Sequence, residues 1–599
     1  MTNLIRRGAN NTLRVISEST AGFPAGDVAR KKLGAEAVRE APAEALDREG
    51  LAEDAIVVFR AGGALAARLC RLLGYRPPRA LPAGGYHLDV VRHHNARFLV
   101  VIGGDLFGML AGLADALLNG ELTREGFVYR GGRRTEIPAF PLRYYWTADH
   151  STNWVLDDPG LSYAGCNNQY TKRPETFVED YRRLIDHCLD MRFNGVVIWC
   201  FLRDSHGGVA AAYEVARYAA ERGVALLPGV GTTGYGGVYY DGDHPFNIET
   251  YLRRHPRFGN QSENGRRSGS TLSPYCRENQ DFIAAAVEWL FRTFPVGGCN
   301  MENMDLMVDY SPAGKRARAR LKTGESDHYK DQYFAYKTAL EVADRLAPNG
   351  WHCHATYTGF HTGSSAPGGY DMGAVPYFAT RMPKSALAQW TISQMVSQEV
   401  IPLRQWRESP RPAAAYRNPH WPEGVRPPTP RSTAFMHQAS QWFSPTRRTD
   451  VAISSMAEGC LRSHEAGFEG ISVHGEVSAR HPAWRLNYLA MRHWTYHPVS
   501  TLEEFAQAEL APRVGGADAA RTFIDVLIAL EEGKTGLELE KKIVPSAGAC
   551  AGNPHRRHPP VRLGDLNNYN LWLALKEWNC VRDAPRSYVY GPIAPGGLV

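Results

Sequence analysis

The chain has 599 residues, 44% of them hydrophobic and 22% charged, which is typical of a folded protein with several domains rather than a disordered or fibrous one. The formal net charge of +6 is small for this length, and no dense basic cluster with interleaved aromatic residues occurs, so a nucleic-acid partner is not indicated. The first residues lack the apolar stretch of a secretory signal, and no run of about 18 apolar residues occurs, so we expect neither export nor a membrane span.

Residues 1–135 are predicted to form a small α/β domain, because strand-like and helix-like stretches alternate in them. The stretches with strand composition are 55–59, 86–91 and 97–104, and those with helical spacing are 63–74 and 105–120. Gly120 stops the second helix, and the Pro- and Gly-rich stretch 131–141 leads out of the domain.

Residues 136–482 contain eight apolar strand candidates, most of them separated by amphipathic helical stretches. The candidate strands are 142–150, 196–201, 224–231, 297–302, 351–357, 387–393, 433–440 and 468–476. Apolar strands that alternate with helices form parallel sheets covered on both faces, and eight such units predict a (β/α)8 TIM barrel. The alternative is an open doubly wound sheet, but such a sheet usually has a glycine-rich phosphate loop after an early strand, and none follows 196–201. We interpret the glycine-rich stretch 231–237 as a flexible rim.

Strand patterns largely end after the barrel, and residues 483–599 are predicted to form a helical C-terminal region. Thr501 and Glu504 have the spacing of a capping box at a helix N-terminus. The Pro- and Arg-rich stretch 407–432 lies between the sixth and seventh candidate strands and is long enough to be a lid or a contact with a partner. The predicted fold is therefore α/β, with a small N-terminal α/β domain, a TIM barrel and C-terminal helices.

Cysteine and aromatic content add two further expectations. The ten cysteines are scattered and form no CxxC pair, so we expect neither a zinc site nor a disulfide framework. Reduced thiols are typical of the cytoplasm, and we therefore expect a cytoplasmic protein. Aromatic residues make up 11% of the chain, with 13 Trp and 28 Tyr. This content fits either a large aromatic core or a site where flat aromatic faces stack on sugar rings.

The C-terminal ends of the candidate strands form the predicted site, because TIM barrels carry their chemistry at that end. Hydrolysis of a glycosidic bond needs two carboxyl groups, one to protonate the leaving oxygen and one on the other side of the sugar. Glu302 follows the fourth strand between Met301 and Met304, an apolar setting that favours a protonated carboxyl and therefore the acid role. Glu476 ends the eighth strand and suits the role of base or nucleophile. The fourth and eighth strands lie opposite each other in a barrel, so we expect the two carboxyl groups to be farther apart than the ~5 Å of a retaining pair. A wider separation favours hydrolysis with inversion.

Other residues at the strand ends could hold a sugar by stacking and hydrogen bonding. They are Trp146, Asp149, Trp199, Arg203, Asp305, His354, Tyr357, Trp390, His437, Trp442 and His474. The two aspartates of this set are also reserve candidates for the base. Its three histidines could instead bind a metal, but their spacing matches no known ligand motif, and hydroxyl binding or a core position stays open for them. A rim salt bridge is the simpler alternative for each of the two catalytic candidates.

Several stretches resemble the beta-hexosaminidases and the bacterial alpha-glucuronidases. The end of the N-terminal α/β domain in these families is similar to RFLVVIGGDLFGMLAGLADALLNG (97–120), and their entry into the first barrel strand is similar to IPAFPLRYYW (137–146). Three further stretches, GYGGVYYDGDHPFN, LSPYCRENQDFI and GGCNMEN, resemble the region between the third and fourth barrel strands of the alpha-glucuronidases. The resemblance implies a glycoside hydrolase that acts from a chain end, with Glu302 as its general acid. Beta-hexosaminidases have an Asp directly before this Glu to steer the acetamido group of the substrate, whereas Met301 stands there in this chain.

We therefore predict an exo-acting glycoside hydrolase whose partner is a small oligosaccharide or glycoside, with no cofactor. The oligomeric state, including a homo-oligomer, stays open. Two alternatives from other functional classes also stay open. One is a catalytically inactive carbohydrate-binding protein on the same scaffold, and the other is a metal-assisted lyase or isomerase that uses the histidines of the barrel mouth. The fold alone does not choose among the three.

Overall fold

The computed structural model describes residues 3–18, 24–46, 50–78, 80–148, 174–304, 307–323, 326–359, 381–393, 402–408, 431–436, 451–474 and 482–533. Within these ranges no helix is both long enough and apolar enough to cross a membrane. The cysteines that fall within them are free thiols, namely Cys70, Cys188, Cys200, Cys276, Cys299, Cys353 and Cys460.

The N-terminal part of the chain forms a six-stranded sheet and a smaller three-stranded sheet. Its strands are β1 (Asn3–Arg6), β2 (Leu13–Ser17), β3 (Val38–Pro42), β4 (Ala55–Arg60), β5 (Tyr86–His93), β6 (Ala96–Gly103), β7 (Gly120–Leu122), β8 (Gly126–Tyr129) and β9 (Arg134–Glu136). Its helices are α1 (Ala25–Leu33), α2 (Ala64–Leu73) and α3 (Leu106–Leu118). The larger sheet has the order β3-β2-β4-β6-β5-β9, and the smaller one has the order β1-β8-β7. β3, β2, β4 and β6 pair in parallel, whereas β5 pairs antiparallel with both β6 and β9.

The middle of the chain forms a closed barrel of eight parallel strands with a hairpin inserted into it. In chain order the strands are β10 (Leu142–Ala148), β11 (Gly195–Trp199), β12 (Ala225–Gly231), β13 (Gly259–Gln261), β14 (Arg267–Leu272), β15 (Gly298–Glu302), β16 (Trp351–Gly359), β17 (Ala386–Ser393), β18 (Ser432–Met436) and β19 (Gly470–His474). β13 and β14 pair only with each other, and the other eight strands close the barrel by pairing of β19 with β10. The barrel confirms the predicted fold and excludes the open doubly wound sheet.

Helices lie between the barrel strands in the chain. They are α4 (Pro174–Asp190), α5 (Gly208–Ala220), α6 (Ile248–Arg254), α7 (Arg277–Thr293), α8 (Pro312–Leu321), α9 (Asp327–Leu346), α10 (Leu403–Glu408) and α11 (Ile453–Ala466). The apolar residues that recur at helical spacing along α4 are buried, namely Phe177, Tyr181, Leu184, Ile185, Cys188 and Leu189. Helix α3 of the N-terminal domain is buried along nearly its whole length, because β6 contacts one side of it and α4 another.

The described C-terminal part is helical, as predicted. Its helices are α12 (Pro482–Trp494), α13 (Leu502–Phe505), α14 (Ala511–Val514) and α15 (Ala517–Gly533), with a π-helical turn at Ala506–Leu510 between α13 and α14. The predicted capping box is present, because Thr501 Oγ1 accepts from the backbone N–H of Glu504 at 3.2 Å and the Glu504 carboxylate accepts from the backbone N–H of Thr501 at 2.8 Å. The domain boundaries at 135 and 482 stay predictions, and residues 409–430 and 534–599 lie outside the described part.

A buried charge cluster, called the junction cluster below, links the three parts of the chain. It consists of Asp115 on α3, Arg134 and Glu136 on β9, Arg192 after α4, Arg492 on α12 and Glu509 in the π-helical turn. Asp115 Oδ2 lies 2.5 Å from Arg134 Nη2 and 3.3 Å from Arg192 Nη2, and the Asp115 carboxylate also pairs with Arg492. Burial alone would raise the pKa of Asp115, but the guanidinium groups of Arg192, Arg134 and Arg492 hold that pKa well below its ordinary value.

Candidate active site

The C-terminal ends of the barrel strands form its mouth. A layer of buried polar residues lies directly below this mouth. Alternate residues of each strand line the barrel interior, and the residues between them face the helices. Trp199 Nε1 donates to Asn300 Oδ1 at 2.9 Å, and Asn300 Nδ2 donates to Gln389 Oε1 at 2.8 Å. The Tyr144 hydroxyl donates to the same Gln389 oxygen at 3.0 Å. These hydrogen bonds tie β10, β11, β15 and β17 together one layer below the mouth.

Two tryptophans predicted to hold a sugar, Trp146 and Trp199, face the interior near the top of this layer. Trp146 packs against Phe435 with ring centroids 5.3 Å apart, and Trp199 meets Tyr235 edge-on at 5.8 Å. Gly229 on β12 leaves room for Trp199, since a Cβ at this glycine would lie 2.4 Å from the indole ring. Both indoles are largely buried, so each is held in one orientation beside the mouth.

Glu302 is the last residue of β15 and is partly buried. It lies on the interior face of the strand, because Asn300 two residues earlier lines the interior and Met301 lies in the apolar core on the helix side. Met301 therefore does not provide the apolar surroundings that the sequence suggested for Glu302. Met304 lies against Gly234 of the turn after β12, since a Cβ on that glycine would be 2.2 Å from the Met304 side chain.

The turn after β12 holds the backbone of Glu302. Thr232 donates to the Glu302 carbonyl oxygen from its backbone N–H at 2.8 Å and from its hydroxyl at 3.2 Å. The chain closes on itself here, because the N–H of Gly231 donates to the carbonyl of Gly237 at 3.1 Å. Gly237 has a φ of 91°, a left-handed conformation that favours glycine. The stretch 231–237 is thus a tight hydrogen-bonded turn at the mouth of the barrel, and its predicted flexibility stays a prediction.

Arg203 follows β11 at the edge of the mouth and is buried. Its guanidinium carbon lies 5.0 Å from the centroid of the Tyr240 ring, and its Nη2 lies 3.2 Å from Asp241 Oδ2. Tyr240 in turn packs against the apolar residues of the barrel interior. Asp204, the neighbour that could have paired with Arg203, accepts from the Tyr239 hydroxyl. A fixed positive charge therefore stands beside the aromatic residues of the mouth.

His354 and Trp390, two predicted substrate-binding residues, face the helices and not the mouth. Trp390 is fully buried, and its indole N–H donates to the Ser432 hydroxyl at 3.0 Å. The His354 ring lies 5.5 Å from Tyr336 on α9, and burial lowers the pKa of its imidazole to about 3. Gln389, the residue directly before Trp390, is the one that lines the interior. These two assignments are corrected because the sequence of a strand that is buried on both faces does not reveal which of its alternate residues face inward.

Other predicted site residues lie outside the described residues, namely Asp149, Asp305, His437, Trp442 and Glu476. Tyr357 and His474 are described only as parts of β16 and β19, and the backbone of His474 pairs with that of Trp146. β15 and β19 are the fourth and eighth strands of the closed barrel, so Glu302 and the segment that carries Glu476 follow opposed strands.

Sequence reasoning missed several residues near the mouth, namely Tyr235, Tyr240, Asn300, Gln389 and Phe435. Asn300 could have been found, because it lies two residues before Glu302 and therefore on the same face of the strand. The two tyrosines could not, because the turn that brings them to Trp199 and Arg203 depends on contacts between separate strands. Among the described residues no three His, Cys, Asp or Glu side chains are grouped so that they could hold one metal ion.

Comparisons with known proteins show the fold. No protein-family model matches the chain, and no curated protein matches its sequence. Among solved structures, a beta-N-acetylhexosaminidase from Bacteroides fragilis is similar, with a TM-score of 0.51 at 12% identity over 87% of this chain and 92% of that chain. A GH138 enzyme targeting pectin rhamnogalacturonan II is similar, with a TM-score of 0.51 at 11% identity over 91% of this chain and 58% of that chain. The chain therefore shares the fold of hexosaminidase-like glycoside hydrolases, as its sequence motifs suggested.

Proposed function

We propose that this protein is a glycoside hydrolase in which Glu302 is the general acid. The observation that carries the proposal is the position of Glu302, at the C-terminal end of the fourth barrel strand, on the interior face and above the polar layer that fixes Trp199. A carboxyl group there reaches a substrate bound in the mouth, where TIM-barrel enzymes carry out their chemistry. One of the two solved structures described above is named a beta-N-acetylhexosaminidase and the other an enzyme that targets pectin rhamnogalacturonan II, and both names support a carbohydrate substrate.

Glu476 is the second carboxyl group in this proposal, as base or nucleophile. The reason is its place after the eighth strand, which is opposed to the fourth strand that carries Glu302. Carboxyl groups on opposed sides of a barrel leave room for a water molecule next to the sugar, and a gap of roughly 6.5–9.5 Å is typical of inverting enzymes. The proposed reaction is therefore hydrolysis with inversion, and the resemblance to the families named above implies exo-action on a small oligosaccharide or glycoside. The identity of the sugar is left to experiment, since Met301 replaces the aspartate of the hexosaminidases and faces the helices.

The test is a screen of 4-nitrophenyl glycosides of the common sugars, followed by kinetics of Glu302→Gln on the sugar that is cleaved. Loss of a general acid lowers turnover by about 10²–10⁴-fold on a poor leaving group. A 2,4-dinitrophenyl leaving group departs without protonation, so its rate should change far less. The matched control is Glu341→Gln, which removes a mostly exposed carboxyl group from α9 on the outside of the barrel. Near-normal rates of Glu302→Gln on a poor leaving group would remove Glu302 from the acid role.

Calorimetry with the same sugars separates hydrolysis from binding alone. Heat of binding without release of product in long incubations would support a carbohydrate-binding protein on this scaffold. Product release that depends on Glu302 and on Glu476 supports the hydrolase.

A further inference from the structure

A tyrosine of the helical layer holds the backbone directly after Glu302. Tyr336 on α9 is fully buried, and its hydroxyl makes two hydrogen bonds to Asn303. The backbone N–H of Asn303 donates to the Tyr336 oxygen at 3.2 Å, and the Tyr336 hydroxyl donates to Asn303 Oδ1 at 2.9 Å. Asn303, the first residue after β15, is buried as well, and its side chain points toward the helical layer because its Oδ1 accepts from Tyr336 on α9. One phenol thus fixes both the backbone and the side chain of the residue that follows the proposed acid.

The other side of the same segment is held by the turn after β12. Thr232 donates twice to the carbonyl of Glu302, and the backbone N–H of Met304 donates to the Thr233 hydroxyl at 3.3 Å. Three consecutive residues, 302–304, are therefore fixed by side chains from two different elements. The end of β15 has little freedom to rotate about its axis, and such a rotation is the motion that would turn the Glu302 carboxyl away from the mouth.

We propose that Tyr336, acting through Asn303, is a positioning residue for the general acid, an inference that rests on the proposed function of Glu302. A carboxyl group must lie within hydrogen-bond reach of the leaving oxygen to protonate it, and a displacement of about 1 Å far from the chemistry can cost 10²-fold in rate. Tyr336 lies on α9 in the outer layer of the barrel, and its hydrogen bonds to Asn303 connect it to the segment that carries Glu302, so we expect it to affect the reaction through the orientation of that segment.

The test is Tyr336→Phe, which keeps the ring and its packing and removes both hydrogen bonds to Asn303. Kinetics are measured on two glycosides of the sugar that the screen identifies, one with a 2,4-dinitrophenyl and one with a 4-methoxyphenyl leaving group. We expect kcat on the 4-methoxyphenyl glycoside to fall by about 10–10²-fold with KM little changed, because the acid is misplaced while the sugar site is intact. The 2,4-dinitrophenyl glycoside needs no acid, and its kcat should stay within a factor of about two to three.

Tyr218→Phe is the matched control. Tyr218 is a largely buried tyrosine on α5 whose hydroxyl donates to Asp186 at 2.8 Å, in a different part of the helical layer. Its loss should leave both rates unchanged. If Tyr336 had only a structural role, Tyr336→Phe would lower both rates together or neither of them, and either result would overturn the inference. Failure of the proposed function is a different result, namely Glu302→Gln with normal rates on the poor leaving group.

Two further measurements keep the inference testable if Tyr336→Phe does not fold or no aryl glycoside is cleaved. Asn303→Ala removes the acceptor of the Tyr336 hydroxyl alone, and we expect the same leaving-group pattern with a smaller loss. Amide hydrogen exchange of a peptide that covers residues 298–304 reports on the segment without any substrate. Exchange should be faster in Tyr336→Phe than in the wild type and in Tyr218→Phe, and equal exchange in all three would show that Tyr336 does not hold the segment.

Discussion

Replacement of Asp115 by Asn should strongly destabilise this protein, because Asp115 is the carboxylate at the centre of the junction cluster. Its side chain is 1% exposed and contacts the guanidinium groups of Arg134, Arg192 and Arg492. It also accepts hydrogen bonds from the Tyr86 hydroxyl at 2.6 Å and from Asn119 Nδ2 at 2.9 Å. Asn has nearly the same shape, so the change removes one negative charge and leaves the cluster with three guanidinium groups and two carboxylates.

The expected cost follows from the burial of these charges. Removal of one partner from a buried ion pair costs about 3–5 kcal/mol, since it leaves the other charge uncompensated. For a folding unit of 150–250 residues, 1 kcal/mol shifts the melting temperature by roughly 2–4 °C, so the unit that contains Asp115 should melt at least about 6 °C lower. Because the cluster joins α3 and β9 to α12, the N-terminal domain should also separate from the barrel and become open to proteolysis at 131–141.

Differential scanning calorimetry and limited proteolysis measure these effects. The control is Asp518→Asn, which removes a carboxylate that is 93% exposed and pairs with Arg521 on the surface, and no shift in melting temperature is expected from it. In the Asp115→Asn background, Arg134→Met removes the single surplus positive charge of the cluster and should cost less than it does in the wild type. A melting temperature of Asp115→Asn within about 1 °C of the wild type would refute the reasoning.

Three other predictions concern the mouth and the junction cluster. Trp199→Phe loses the hydrogen bond to Asn300 and part of the aromatic face, and we expect weaker sugar binding in calorimetry, whereas unchanged affinity would exclude Trp199 from the site. The opposed positions of the fourth and eighth strands predict an inverted anomer as the first product in NMR spectra taken during hydrolysis, and a retained anomer would contradict this. Burial alone would raise the pKa values of Asp115, Glu136 and Glu509, but nearby arginines outweigh it and lower them. The ionised carboxylates therefore stabilise the fold at pH values above their ordinary pKa. This stabilisation is lost as the pH falls below 3.8 for Asp and 4.5 for Glu. The melting temperature should fall on acidification in this range, and less so in Asp115→Asn.

The order of strands and helices was readable from the sequence where local patterns were strong. The eight barrel strands are short stretches rich in apolar and aromatic residues that alternate with helical stretches, and helix α4 has apolar residues at helical spacing, so both could be predicted from residues close in the chain. The capping box of Thr501 and Glu504 is likewise a local feature and is present. By contrast β1, β2, β3, β7, β8, β9 and the hairpin of β13 and β14 were missed, because short strands become recognisable only through their partners.

The sequence also placed Glu302 correctly at the end of a barrel strand, but it could not say which neighbours of that strand face inward. His354 and Trp390 are adjacent in the chain to residues of the barrel interior and still face the helices. A shift of one residue in a strand moves a side chain to the opposite face, and an apolar run buried on both faces carries no pattern that distinguishes the two.

The sequence by itself determined the succession of the eight barrel strands, the helical end of the described chain and the carboxyl group at the end of the fourth barrel strand. Only the tertiary structure decided that Trp199, Asn300, Gln389 and Tyr144 form one polar layer. It also decided that the turn after β12 donates hydrogen bonds to the backbone of Glu302, and that Asp115 contacts three arginines from separate elements. The physical reason is that these contacts join residues distant in the chain, so each of them exists only after the closed barrel and its neighbouring domain have set the distances between them.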